Sequence, residues 1–379
     1  MAAQAQVLPM LMIAVGLAAC AVLLIPSAYY ALLRVSGRPA SQFPKLPRFL
    51  RPTILIWALP LVLLLGYWIA GNPSLSWLFL PILQILAIGL PALWLTYLAM
   101  RGLPLGSPQR LSGVFGSGLT LGPLLILGLE TIALVAFGVI GFLYIANQPE
   151  MVEQFNRLAQ LFQQGAGTEE ELLRAILPWL VKPSIIFTLL VFAAVIVPLI
   201  EEAFKPIGVW LLAGFKLSPA AGFAAGALSG AGFAFFESLA LTATGADWAA
   251  SSVARIGTSV IHITNTGLMG WALALAWRER RYFNLALTYL TVVLVHGVWN
   301  GLAIVNLVDQ VLVSEGMTGA FPGWSGLASW LGSSAPYILF GASLVMFTIL
   351  LWMNARLRRS LPPVEMPAQP VTFESENVI

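Results

Sequence analysis

The stretch VPLIEEAFKPIGVW, residues 197–210, sets Glu201, Glu202 and Lys205 within five residues of a segment that is otherwise apolar. A charge facing hydrocarbon costs several kcal/mol, so an ionisable residue inside a membrane span faces the bundle interior and is a functional candidate by default. Further ionisable residues follow in similar surroundings: Glu237 in AGFAFFESLAL, Arg255 and His262, then His296 with Asn300 in LVHGVWNGL. The only two histidines of the chain both belong to this group. Carboxylates and imidazoles together support general acid–base chemistry, proton relay or metal ligation. Other readings compete at single positions. Glu130, alone in its span, suits a helix–helix hydrogen bond, and Lys205 and Arg255 suit structural counter-ions that keep nearby carboxylates charged.

The elements that must carry these residues are membrane helices. Of 379 residues 59% are hydrophobic and 9% charged, against roughly 25% charged in a soluble domain. Runs of about 20 apolar residues predict nine spans, near 8–33, 53–70, 77–100, 115–146, 184–214, 218–243, 251–277, 284–305 and 335–354. The first has no positive n-region and is too long for a signal-peptide core, so it reads as a retained helix. Cys20 is the single cysteine and excludes an internal disulfide or a multi-cysteine metal site.

Orientation follows from Lys and Arg in the loops. Arg34, Arg38, Lys45, Arg48, Arg51, Arg101, Arg110, Lys216, Arg278, Arg280, Arg281, Arg356, Arg358 and Arg359 fall on one side; Arg157, Arg174 and Lys182 fall on the other. That bias predicts an outside N-terminus and a cytoplasmic C-terminus, and it explains the net charge of +3 without nucleic acid. The expected class is an all-α polytopic bundle in the plasma membrane. Its parts are 1–183, four spans with an extracytoplasmic loop at 147–183; 184–306, the core of spans five to eight; 307–359, an outer loop and span nine; and 360–379, a Pro-rich polar tail expected to be disordered. Within the loop, Met151, Phe155, Leu158 and Phe162 recur at helical spacing and predict an interfacial amphipathic helix.

Spacing within the core brings the candidates together. Glu201 and Lys205 are four apart with the acid first, the favourable order for a same-face pair, and Pro206 withholds an N–H from the Glu202 carbonyl, which predicts a weakened or kinked helix. Arg255, Thr258, Ser259, His262, Asn265 and Thr266 form one polar stripe, and His296 and Asn300 share a face. Gly222, Gly226 and Gly230 repeat every four residues and allow close helix approach. Counted from assumed cytoplasmic edges at Leu217, Trp277 and Phe283, Glu202, His262 and His296 lie about 13–15 residues in, some 20 Å at ~1.5 Å per residue. Glu237 and Arg255 lie higher and near each other.

EEAFK resembles the EExxK motif of the PrsW family of intramembrane proteases, part of the CAAX-processing and bacteriocin-immunity (Abi) superfamily. Phe236 and Glu237 resemble the start of its FExxxY motif, with Leu241 in the tyrosine's place, and His262, then His296 with Asn300, resemble its two histidine motifs. The resemblance spans about 198–302. It implies an endopeptidase that cleaves a membrane-anchored protein, such as an anti-sigma factor, near the outer surface. For that chemistry Glu201 or Glu202 is the candidate base. His262 and His296, with Glu237 or one of the paired glutamates, are candidate ligands of a catalytic Zn2+, or else the histidines are oxyanion donors in a metal-free glutamate mechanism, where Asn300 fits best. Two readings from other classes stay open: a non-catalytic scaffold of the same fold that binds membrane helices, and a proton-coupled transporter, although transporters often show paired broken helices in two related halves.

Overall fold

The computed structural model describes residues 2–38, 50–163, 171, 175, 177, 179, 182–241, 243–314 and 325–362. Among these there is no strand. The helices are α1 (Ala2–Leu23), α2 (Ile25–Val35), α3 (Leu59–Ala70), α4 (Pro73–Met100), α5 (Pro108–Leu119), α6 (Leu121–Ala146), α7 (Pro149–Gln163), α8 (Pro183–Val191), α9 (Val197–Phe204), α10 (Ile207–Trp210), α11 (Pro219–Ala240), α12 (Trp248–Glu279), α13 (Tyr282–Ser314) and α14 (Ser325–Arg359). Several open on proline, whose missing N–H costs nothing in a first turn. Asn72, Ser107 and Ser218 then cap α4, α5 and α11 by accepting from the N–H groups of Ser74, Arg110 and Ala221.

Among the described residues eight stretches are long and apolar enough to cross a membrane: Val7–Val35, Pro52–Ala70, Pro73–Met100, Pro108–Ala146, Pro183–Trp210, Pro219–Ala240, Tyr282–Ser314 and Ser329–Arg359. The remaining predicted span, 251–277, is α12. It is 32 residues long, but its polar stripe takes it below a membrane span's apolar content. Its burial among other helices replaces contact with lipid. Leu124, Leu127, Ile132, Leu134, Val135 and Val139 of α6 instead face outward, as expected where hydrocarbon is the solvent. The predicted amphipathic helix is α7, with Met151 buried and Phe155 exposed. The Phe162 side chain and residues 363–379, which include most of the expected disordered tail, lie outside the described residues.

The hub is α11, which touches α1, α4, α5, α6, α10, α12 and α14. Its small residues permit this. A Cβ on Gly222 or Gly226 would collide with the carbonyls of Gly270 and Thr266 on α12, and one on Gly230 would lie 2.8 Å from the carbonyl of His262. The glycine repeat therefore brings α11 and α12 into backbone contact beside His262. Gly226→Leu should destabilise the protein by about 1–3 kcal/mol or more through overpacking, read as a lower midpoint of unfolding in detergent. An unchanged midpoint would contradict that contact.

Candidate active site

The helix that carries the paired acids is irregular at both ends, for reasons visible in its prolines. Residues Phe192–Ile196 form a π-turn in which the Val197 N–H bonds back to the Phe192 carbonyl. The next donor in that pattern would be residue 198 to Ala193, but Pro198 has no N–H. The Asn300 Nδ2 supplies the missing donor at 2.9 Å from the Ala193 oxygen. One turn earlier on α13, Gly297 lies against the Ala194 carbonyl, where a Cβ would not fit. At the other end α9 stops before Pro206 and the chain resumes as α10, the predicted break. Ser229 of α11 closes this gap by donating its hydroxyl to the Lys205 carbonyl at 2.7 Å. Tyr289 of α13 donates to the Leu199 carbonyl at 2.7 Å. Two neighbouring helices, α11 and α13, thus hold α9 in a fixed rotation.

That rotation turns Glu201, Glu202 and Lys205 inward, with the Lys205 and Glu202 side chains fully buried. The Lys205 ammonium lies 2.7 Å from Glu201 Oε2, 2.8 Å from Glu202 Oε1, 2.9 Å from His262 Nδ1 and 3.3 Å from His296 Nδ1. Phe233 closes one side, its ring centroid 4.7 Å from Nζ, within cation–π range. The predicted common level of Glu202, His262 and His296 is therefore observed.

Hydrogen positions follow from what each partner can do. A carboxylate only accepts. Glu237 Oε2 lies 2.6 Å from His262 Nε2, so Nε2 carries the proton and Nδ1 offers its lone pair to the cavity centre. Glu202 Oε1 lies 2.9 Å from His296 Nδ1, which fixes the opposite tautomer and leaves Nε2 free to accept. His296 Nε2 then faces Glu201 Oε2 at 3.8 Å. Glu201 Oε2 contacts the ammonium as an ion pair but lacks an aligned hydrogen-bond donor. Two acceptors face each other across that space, an arrangement suited to a cation or a water molecule.

Glu201, His262 and His296 each offer one ligand atom, all within 4.8 Å of one another. This grouping can hold a metal ion, and two imidazoles with one carboxylate form a known catalytic zinc set. Of the carboxylates weighed as third ligand, Glu201 is the one grouped with the histidines, while Glu237 lies 2.6 Å behind His262 Nε2 and orients it. Glu237 also pairs with Arg255 at 3.8 Å, as their shared depth suggested. Asn300 gives one amide N–H to the Ala193 carbonyl, so at least that donor serves the helix backbone.

The rest of the polar stripe on α12 is structural. Ser259 bonds back to the Arg255 carbonyl at 2.9 Å, and Asn265 donates to the Val292 carbonyl at 3.2 Å. Leu241, in place of the motif tyrosine, is exposed beyond the end of α11 and outside the cluster. Sequence reasoning missed the aromatic wall of Phe233 and the partner helix of Glu130, whose α6 packs against α9. The only signal for Glu130 was that it is the first acidic residue of the chain, inside an apolar span.

Residues 109–326 match the PrsW family of intramembrane metalloproteases. No curated protein and no solved structure matches the chain.

Proposed function

Since the chain belongs to the PrsW family of intramembrane metalloproteases, we propose that it hydrolyses a peptide bond of a single-pass, membrane-anchored protein at the Glu201–His262–His296 cluster. The supporting observation is that buried ligand set, held in place by carboxylates on both histidines in a bundle of membrane helices. In the proposed arrangement Glu201, His262 and His296 would hold a Zn2+ ion. Bound there, such an ion lowers the pKa of its water to about 7 and polarises a carbonyl. Glu237 and Glu202 keep each imidazole in the tautomer that presents a lone pair, the outer-shell arrangement common to histidine metal sites. Lys205 balances two adjacent carboxylates, and its N–H groups lie beside the place where negative charge develops in the transition state.

Water and substrate enter from the side of Glu237 and Arg255, whose side chains are 24% and 23% exposed against 9% or less for Glu201, Glu202, His262 and His296. On this proposal that end of the bundle is the outer face, with the N-terminus outside and the C-terminus cytoplasmic in the plasma membrane, an orientation the basic-residue bias supports. A membrane-bound anti-sigma factor fits the substrate class. A metal-free reading is favoured by one observation, that the Lys205 ammonium already lies among the same ligand atoms. In that case Glu201, whose Oε2 lacks an aligned hydrogen-bond donor, activates the water. Quantitative membrane proteomics of cells carrying the wild type or Glu201→Gln tests the proposal. A single-pass protein cut near the outer surface only with the wild type supports it; identical membrane proteomes in both would favour a scaffold or transporter.

A further inference from the structure

A second cavity, of about 640 Å3, lies at the other end of the bundle. Phe215 lines it just before α11 opens at Pro219, and Glu237 lies 18 residues beyond Pro219 along that helix, roughly 27 Å at ~1.5 Å per residue. Arg34 from the last turn of α2, Arg38 just beyond it and Arg110 from α5 all line it. Among the described residues none of these three guanidinium groups pairs with a carboxylate. The sequence gives the reason: no Asp or Glu precedes Glu130. On the same end Glu279 is engaged with Arg281 at 3.0 Å.

Three like charges around one cavity repel unless an anion joins them. Ser107 lines the same cavity as the cap of α5, so the positive end of that helix dipole adds to the field. Arg110 is held by stacking over the Phe215 ring at 5.4 Å. Phe215 and Leu211 give the cavity an apolar wall. A cluster of guanidinium groups beside apolar surface, at the end of the bundle that the basic-residue bias assigns to the cytoplasmic side, suits an amphipathic anion better than a free one.

We propose that this cavity binds the phosphate headgroup of an anionic phospholipid from the leaflet it faces. Leu211 and Gly208, which also line it, continue the chain beyond Pro206. A bound headgroup therefore contacts the segment that follows Lys205.

Native mass spectrometry of the full chain, purified with mixed phosphatidylglycerol and phosphatidylcholine, tests this. The wild type should retain phosphatidylglycerol preferentially. R34Q/R38Q/R110Q should lose that retention by about a hundredfold, at roughly fivefold for each interfacial arginine. Gly113→Leu supplies an independent variant, because Gly113 lines the cavity, nothing lies within 4 Å of where its Cβ would be, and leucine favours the helix. It should also lose the lipid while keeping all three arginines. Equal retention of phosphatidylglycerol by both variants would overturn the site. Displacement of the lipid by millimolar inorganic phosphate would overturn the lipid assignment in favour of a soluble anion. Loss in both variants with no effect of phosphate supports it.

Discussion

Lys205→Met is expected to destabilise the protein by about 3–5 kcal/mol, the range for leaving buried charges without their partner. The ammonium lies 2.7 Å from Glu201 and 2.8 Å from Glu202 at the centre of the bundle. Methionine keeps the length and apolar stem of the side chain, so lost volume does not account for the effect. The double variant Glu202→Gln with Lys205→Met removes one of the stranded charges and should recover much of the stability without recovering activity. Equilibrium unfolding in detergent reads both. A single variant as stable as the wild type would mean that the two glutamates are not ionised together, and the charge-balancing role of Lys205 would fall.

The paired acids are expected to behave unequally, although adjacent in sequence. Glu201→Gln should lower the rate of cleavage of a reconstituted substrate by about 10²–10⁴, the range lost with an essential acid–base group, with an unfolding midpoint close to wild type. Glu201 has an oxygen without an aligned donor that faces His296 Nε2, so it can meet metal or water. Glu202→Gln should cost less in rate. Its remaining carbonyl oxygen can still accept from His296 Nδ1 and Lys205, the two contacts Glu202 makes at 2.9 and 2.8 Å. A greater loss of rate in Glu202→Gln than in Glu201→Gln would exchange the two roles.

Much of this arrangement was legible in the residues themselves. The helices could be read because hydrocarbon demands long apolar runs, and a close helix approach at α11 because glycine every four residues admits a neighbouring backbone; that the neighbour is α12 came from the fold. Counting depth from the span ends brought Glu202, His262 and His296 to one level, since rise per residue is nearly constant along a helix. Rotation about the helix axis is less predictable. The π-turn at Phe192–Ile196 adds a residue to one turn and shifts the phase of everything after it, so which of Glu201 and Glu202 faces the histidines cannot be counted out. The same turn freed the carbonyl that claims Asn300. Side-chain reach was the other blind spot. Glu237 starts higher than His262 in residue count, yet its carboxylate reaches Nε2 and becomes that histidine's support in place of a ligand. Glu130 escaped because α6 approaches α9 through packing between distant parts of the chain, which local spacing does not encode.

The chemistry turns on whether the Glu201, His262 and His296 atoms that lie within 4.8 Å of one another hold an ion that catalysis requires. The direct measurement is zinc per chain, by elemental analysis of the purified protein, followed together with cleavage of a reconstituted substrate through a chelator titration and back-addition of metal. A metal-dependent centre gives stoichiometric zinc that leaves in step with activity and restores it on return. A preparation free of metal that cleaves at full rate would contradict that centre and leave Glu201 to activate water beside the Lys205 ammonium.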